Sequence, residues 1–199
     1  MSRAVRGSGF RGVCEYAITR SGKKERGEII GGNMSGISPR ELAAEFGQVR
    51  NLRSDIAKPV SHNCLRLPAG ERLTAAEWTT IADDFMSQMG FTDKNQRVYV
   101  LHDDKDEQHI HLIANRVGED GKIWLGKNEN LQATKIINQL EHKYSLKITA
   151  QKEEVKDKKS QKNKRQRERS AKTKSRHENK YKKQSTVHLT SPYQSQIFT

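Results

Sequence analysis

The fold is decided by residues 98–117, VYVLHDDKDEQHIHLIANRV, in which two apolar runs flank a polar segment. The runs Val98–Leu101 and Leu112–Ala114 are short and rich in β-branched and aromatic residues. The polar residues Asp103–Gln108 between them have the composition of a turn. This pattern predicts two antiparallel strands joined as a hairpin.

Three of the seven histidines of the chain lie in this hairpin. His109 and His111 are two positions apart, so they point to the same face of a strand. In a simple hairpin His102 lies opposite His109 and joins that face. Three imidazoles on one face, without a thiolate, favour a catalytic metal site with open coordination positions. The alternative interpretation is that they are half-buried surface histidines.

The donor types limit the cation and the chemistry. Imidazole suits Mn²⁺, Zn²⁺, Ni²⁺ and Cu²⁺, whereas carboxylate and water favour Mg²⁺ and Mn²⁺. Asp104 and Asp106, on the connecting turn, are candidates to orient an imidazole N–H. A cation with open positions polarises a phosphoryl oxygen, and the reaction then needs a nucleophile, either water or a side-chain hydroxyl.

A helix is predicted from Phe10, and it ends near Gly22 and Lys23. Its apolar positions follow the helical repeat; they are Phe10, Val13, Cys14, Ala17 and Ile18. Tyr16 lies outside this stripe, so it is available to a ligand. The alternative is a tyrosine at the edge of the stripe that covers a neighbouring side chain.

Three more helices and further strands are predicted. One helix starts at Ser38-Pro39, and another starts at the capping box of Thr74 and Glu77. The last helix is predicted to bury Leu131, Ile136, Leu140 and Tyr144. Strands are expected at Ile29-Ile30, Val60–Leu67 and around Ile123–Leu125. Consecutive strands with short turns indicate an α+β fold, in which a central antiparallel sheet has flanking helices and a basic C-terminal extension follows.

The charge is unevenly distributed. The chain has 37 Lys and Arg against 24 Asp and Glu, and residues 151–199 hold 15 of the former and 5 of the latter. We therefore expect a folded domain at 1–150 and a basic tail at 151–199 that is helical or disordered. Such an excess indicates a polyanion partner, most often nucleic acid, although a merely solvated tail is the alternative.

The cysteines and the hydropathy bear on location. Cys14 and Cys64 are 50 residues apart and lack metal-type spacing. The sequence has neither a signal peptide nor an apolar run of membrane length. These features predict a cytoplasmic protein with reduced thiols and without membrane insertion.

Two motifs resemble those of plasmid conjugative relaxases, in particular the MobA/TraI-like mobilisation nucleases. The first has the form His-x-Asp-(x)₄-His-x-His-(x)₃-Asn, formed here by His102, Asp104, His109, His111 and Asn115. The second is the segment 15–26, EYAITRSGKKER, in which a tyrosine is followed by Gly-Lys and then Glu-Arg. The resemblance covers roughly Phe10 to Leu146.

The resemblance implies site- and strand-specific nicking and strand transfer at a plasmid origin of transfer, through a covalent 5′-phosphotyrosine on Tyr16. It implies that His102, His109 and His111 hold Mn²⁺ or Mg²⁺. Asp104 is a predicted catalytic residue. Asp104 and His102 are candidates to take the tyrosine proton, and the alternative is ionisation assisted by the metal alone. The implied partners are single-stranded and supercoiled plasmid DNA, accessory relaxosome proteins and a coupling ATPase.

Four cations are candidates for DNA binding: Lys23, Arg26, Arg66 and Arg116. Arg66 stands where the family often has a serine, and an arginine there can still bind phosphate. Two other functions stay open. One is a rolling-circle replication initiator, although such proteins usually place the tyrosine after the histidines, and the other is a DNA-binding protein without enzymatic activity.

Overall fold

The computed structural model describes residues 4–19, 27–104 and 107–147. The strands are β1 (Val5–Gly7), β2 (Glu28–Gly32), β3 (Val60–Arg66), β4 (Arg97–Asp103) and β5 (Gln108–Asn115). The helices are α1 (Phe10–Thr19), α2 (Pro39–Arg50), α3 (Ala75–Gln88) and α4 (Glu129–Lys143), with a short 3₁₀ turn at Asn51–Arg53. Within the described ranges the strands form a five-stranded sheet in the order β1-β3-β5-β4-β2. Neighbouring strands are antiparallel, which confirms the predicted α+β class.

Helices cover both faces of the sheet. On one face, side chains of α1 and α2 pack against Val98, Val100 and Ile113. On the other face, side chains of α3 and α4 pack against Tyr99, Ile110 and Leu112. Strand β5 lies at the centre of the sheet and is buried at every position. A polar side chain on β5 is therefore held among well-packed neighbours.

The predicted helix starts are confirmed. Ser38 and Glu41 form a capping box at α2, and Thr74 and Glu77 form another at α3. In each box the N-cap side chain accepts a hydrogen bond from the N3 backbone N–H, and the N3 glutamate accepts one from the N-cap N–H. Accepting these bonds lowers the pKa of Glu41 and Glu77.

Helix α4 differs from its prediction in the residues that it buries. Leu131 is 55% exposed, whereas Ala133, Ile136 and Leu140 form the buried stripe. The helix ends at Lys143, so Tyr144 follows it as the C-cap. The predicted stripe was wrong at Leu131 because Ala133, not Leu131, shares the helical face of Ile136 and Leu140.

Two strand predictions also need correction. The segment around Ile123–Leu125 makes only an isolated bridge, between Ile123 and Val117, because both edges of the preceding strand β5 are already paired with β3 and β4. The strand predictions also did not include β1 at residues 5–7, which pairs with β3. An ion pair between Arg6 and Glu129 of α4 holds this strand in place.

The predicted tail at 151–199 and the boundary near residue 150 lie outside the described residues. The described helices include none that is long and apolar enough to cross a membrane.

Candidate active site and histidine cluster

The site is built on one face of the three central strands. His102 of β4 is the register partner of His109 of β5. Cys64 of β3 is the register partner of His111 of β5. Because side chains alternate along a strand, His62 lies on the same face as Cys64, two positions away. We call His62, His102, His109 and His111 the histidine cluster.

The structure brings the three predicted metal ligands together. The ring centroid of His102 lies 4.7 Å from those of both His109 and His111, and the latter two are 5.1 Å apart. All three side chains are buried. The cluster faces α1, since the Tyr16 ring of that helix contacts the His111 ring edge-on.

His102 also contacts the backbone of α1. Its Nε2 lies 2.5 Å from the carbonyl oxygen of Ala17, the residue after Tyr16. Gly27 makes this close approach possible, because a Cβ there would lie 2.7 Å from His102 Nε2. His102 therefore fixes the end of α1 that carries the tyrosine.

Cys64 also lies near the ligand atoms of His109 and His111. Among the described residues, Cys64, His109 and His111 each offer one ligand atom, and these three atoms lie within 4.8 Å of one another. Burial raises the pKa of the Cys64 thiol, and the nearby Arg66 acts in the opposite direction. Cys64 was missed in the sequence because only the pairing of β3 with β5 places it opposite His111.

Tyr16 lies on α1 as predicted, off the buried stripe of Phe10, Cys14 and Ala17. It is 57% exposed. Its ring centroid lies 5.5 Å from that of His111 and 6.2 Å from that of His62, edge-on in both cases. An accessible phenol thus stands at the border between solvent and the buried histidines.

His62 is a site residue that the sequence did not single out. Its Nε2 lies 2.9 Å from Nδ1 of His111, which is hydrogen-bond distance. Burial lowers the pKa of His62, so the neutral imidazole is favoured. A hydrogen-bond partner of this kind fixes the ring orientation and the tautomer of a metal-binding histidine.

The four predicted DNA-binding cations have different environments. Arg66 lies on the face of the cluster, is exposed, and forms an ion pair with Glu107. Arg116 is buried, and its guanidinium donates to the carbonyl oxygens of Trp124 (3.2 Å) and Lys58 (2.6 Å). It therefore joins two loops through backbone carbonyls, and its contact with DNA stays a prediction. Lys23 and Arg26 lie outside the described residues.

Asp104 follows β4, two residues after His102. Its carbonyl oxygen accepts a hydrogen bond from Arg72 at 2.8 Å, and Arg72 also forms an ion pair with Asp103. These contacts anchor the start of the connecting turn to the segment before α3. Asp106, the other predicted carboxylate, lies outside the described residues.

Asn115, the last residue of the predicted motif, is buried and hydrogen-bonded to backbone groups. It is fully buried at the end of β5, and its amide donates to the carbonyl oxygen of Phe46 at 3.3 Å. Its Oδ1 accepts a hydrogen bond from the backbone N–H of Val117 at 3.0 Å. Asn115 thus ties α2 to the central strand that carries His109 and His111.

A surface cavity of about 630 Å³ lies between α1 and the start of α2. Tyr16 lines it together with seven other residues: Arg11, Gly12, Glu15, Thr19, Ser38, Pro39 and Arg40. Arg11 forms an ion pair with Glu15 one helical turn away. The sequence did not indicate this cavity, because it depends on how the two helices pack together.

Two comparisons with known proteins gave matches. The family model described as "Relaxase: MobA/VirD2-like, nuclease domain" matches residues 16–146. Protein TraI of Escherichia coli is 30% identical over 118 residues, which are 58% of this chain and 16% of that protein. No solved structure gives a significant match. Since the family model covers more than half of the sequence, the chain belongs to the MobA/VirD2-like relaxases, with which it shares the nuclease domain.

Proposed function

We propose that this chain cuts one strand of plasmid DNA at an origin of transfer, with Tyr16 as the nucleophile. The observation that carries the proposal is the position of Tyr16, an exposed phenol edge-on to His111 of a buried histidine cluster. A nucleophile must be reachable by DNA, whereas cation-binding imidazoles need a fixed, partly dehydrated setting.

The proposed reaction is a transesterification. The phenolic oxygen of Tyr16 loses its proton and forms a bond to the scissile phosphorus, while the bond from phosphorus to the 3′ oxygen breaks. The products are a 5′-phosphotyrosine and a free 3′-hydroxyl, which takes up a proton. Attack by a 3′-hydroxyl on the phosphotyrosine reverses the step and joins strands without another energy source.

The donor set fits a divalent cation, and we propose Mn²⁺ or Mg²⁺ as the ion. His109 and His111 would hold it together with His102, whose ring centroid is 4.7 Å from both. When bound, the ion neutralises charge on the scissile phosphate. The protein orients the rings through the hydrogen bond between His62 and His111 and through the contact of His102 with α1.

Asp104 is the group proposed to take the proton of Tyr16. Asp104 is kept as the predicted catalytic carboxylate, because it lies two residues after His102 at the open end of β4. His102 itself has Nε2 at the Ala17 carbonyl, so we infer that it positions α1 and the cluster.

The DNA strand is proposed to run along the open end of the cluster. Arg66 is exposed beside His109 in the register of β3 and β5. Arg11 and Arg40 line the cavity beside Tyr16. These cations suit phosphates on either side of the scissile bond, because guanidinium groups bind phosphate in a bidentate manner. Lys23, Arg26 and the basic residues 151–199 would add contacts without sequence preference.

The wider role follows from the family. We propose cytoplasmic action on supercoiled plasmid DNA, together with accessory relaxosome proteins and a coupling ATPase. The match to TraI supports this context, although the chain spans only 16% of that protein.

The test uses end-labelled single-stranded DNA that covers the origin of transfer of the cognate plasmid, with Mn²⁺. The wild-type chain should give a protein–DNA adduct that survives denaturation, and Tyr16→Phe should give none. Tyr144→Phe is the matched control and should still give the adduct, because Tyr144 bonds to Asp84 of α3 on the opposite face of the sheet from the histidine cluster. An adduct of equal yield with Tyr16→Phe would overturn the proposal.

A further inference from the structure

We propose that Cys64 is a metal ligand, and that its thiolate, with the imidazoles of His109 and His111, forms a second coordination set for Zn²⁺-type cations on the same face. The ligand atoms of these three residues already lie within 4.8 Å of one another. Their residue types form a Cys/His/His set, which suits zinc and cobalt.

The sheet fixes the three backbones. Cys64 and His111 are register partners on adjacent strands, and His109 is two positions along β5. Strands β3 and β5 are paired without interruption from Val60 with Asn115 to Arg66 with His109. The ligand atoms bound to one tetrahedral zinc ion lie about 3.3–3.8 Å from one another. Small side-chain rotations would therefore complete the set without moving the strands.

His102 differs from Cys64 in what it contacts. Its Nε2 lies at the Ala17 carbonyl of α1, 2.5 Å away, and it does not belong to the group of three closely spaced ligand atoms. The face of the sheet that carries the histidine cluster therefore offers two alternative third ligands beside His109 and His111: the imidazole of His102 and the thiol of Cys64.

The two sets differ in the cations that they favour. Thiolate is a soft ligand that selects zinc, cobalt and similar ions, whereas Mg²⁺ prefers oxygen and Mn²⁺ takes oxygen and imidazole nitrogen. Binding through Cys64 forms a metal–sulfur bond and releases the thiol proton to solvent. Because both sets use His109 and His111, they exclude each other. If the proposed nicking reaction holds, Zn²⁺ at this set should inhibit it in the presence of Mn²⁺.

The experiment is a Co²⁺ titration of the full, metal-free chain, followed by ultraviolet and visible absorption. Thiolate ligation gives a sulfur-to-cobalt charge-transfer band, which imidazole ligation does not. The wild type should show this band, and Cys64→Ala and Cys64→Ser should lose it, with at least about a tenfold loss of Co²⁺ affinity. Cys14→Ala is the matched control and should keep the band, because Cys14 lies on the buried apolar stripe of α1 and not among the three ligands.

Further variants separate the two sets. His102→Ala should keep the charge-transfer band, whereas His109→Ala should lose it. The inference is overturned if the wild type lacks the band, if either Cys64 variant keeps it while circular dichroism shows the native fold, or if His102→Ala abolishes it. The readout needs no DNA, so a chain that fails to nick can still show the band. Likewise, a wild type without the band can still form the Tyr16 adduct in Mn²⁺, so the two proposals fail independently.

Discussion

Nε2 of His62 on β3 lies 2.9 Å from Nδ1 of His111 on β5, so two imidazoles share one hydrogen bond across the central strands. For Nε2 of His111 to bind a cation, its Nδ1–H must donate to Nε2 of His62. His62 then holds His111 in the binding tautomer and fixes its ring plane. Tyr16 also lies edge-on to the His111 ring, so this hydrogen bond links the nucleophile to the proposed metal site.

The first prediction concerns that bond. His62→Ala should lower the affinity for Mn²⁺ by about 10–100-fold, as expected when the partner of a metal-binding histidine is removed. Isothermal titration calorimetry measures the affinity. His62→Gln, which retains an acceptor, should recover part of it. Equal Mn²⁺ affinity in the wild type and His62→Ala would show that the hydrogen bond does not set the tautomer.

A second prediction concerns Asn115, which is fully buried and bonded to Phe46 and Val117. Asn115→Ala should lower the free energy of unfolding by about 1–3 kcal/mol, because the backbone groups lose their partner. Urea denaturation measures this change. The control is Asn130→Ala, at an exposed position, which should change stability by less than about 0.5 kcal/mol. Similar losses for both variants would contradict the anchoring role.

A third prediction tests the approach of α1 to the sheet at Gly27. A Cβ there would lie 2.5 Å from Val100 Cγ1 and 2.7 Å from His102 Nε2, and it would also meet the Ala17 carbonyl. Gly27→Ala should therefore cost about 1–3 kcal/mol through overpacking and should displace the helix that carries Tyr16.

The control for this prediction is Gly12→Ala on α1, where a Cβ meets nothing within 4 Å. Alanine favours the helix there and should stabilise the fold by up to about 1 kcal/mol. Thermal unfolding gives both values. A Gly27→Ala protein as stable as the wild type would contradict the close contact.

A fourth prediction concerns alkaline pH. Burial raises the pKa of the Cys14 thiol from 9.0 to about 12. Between these two pH values the native state keeps the thiol proton, whereas the unfolded chain loses it. The contribution of Cys14 to the free energy of unfolding is therefore fully present below pH 9 and declines as the pH rises towards 12. One titrating group changes the free energy of unfolding by at most about 1.4 kcal/mol per pH unit.

Urea unfolding between pH 8.5 and about 10.5 measures this decline, which should be smaller in Cys14→Ala. Iodoacetamide should also label Cys14 only after unfolding. Rapid labelling of Cys14 in the folded chain would refute the predicted burial of its thiol.

Local patterns in the sequence predicted the hairpin well. The alternation of His109 and His111 and the short turn set the register with His102, because these relationships depend on neighbouring residues. The capping boxes at Ser38 and Thr74 likewise fixed helix starts from four-residue patterns.

Long-range contacts could not be predicted in this way. His62 and Cys64 enter the site only because β3 pairs with β5, across some 50 residues of chain, and no local pattern gives that register. The bond of Arg116 to the Lys58 carbonyl also joins residues 58 positions apart in the chain. The contact of His102 with Ala17 likewise depends on the packing of α1 against the sheet.

The most direct measurement is peptide mapping of the covalent adduct by mass spectrometry, after reaction with single-stranded origin DNA and Mn²⁺. The chain has five tyrosines, Tyr16, Tyr99, Tyr144, Tyr181 and Tyr193. We predict that the nucleotide phosphate is attached to Tyr16 alone. Attachment to another tyrosine, or DNA cleavage without any protein-bound nucleotide, would contradict the assignment of Tyr16 as the nucleophile.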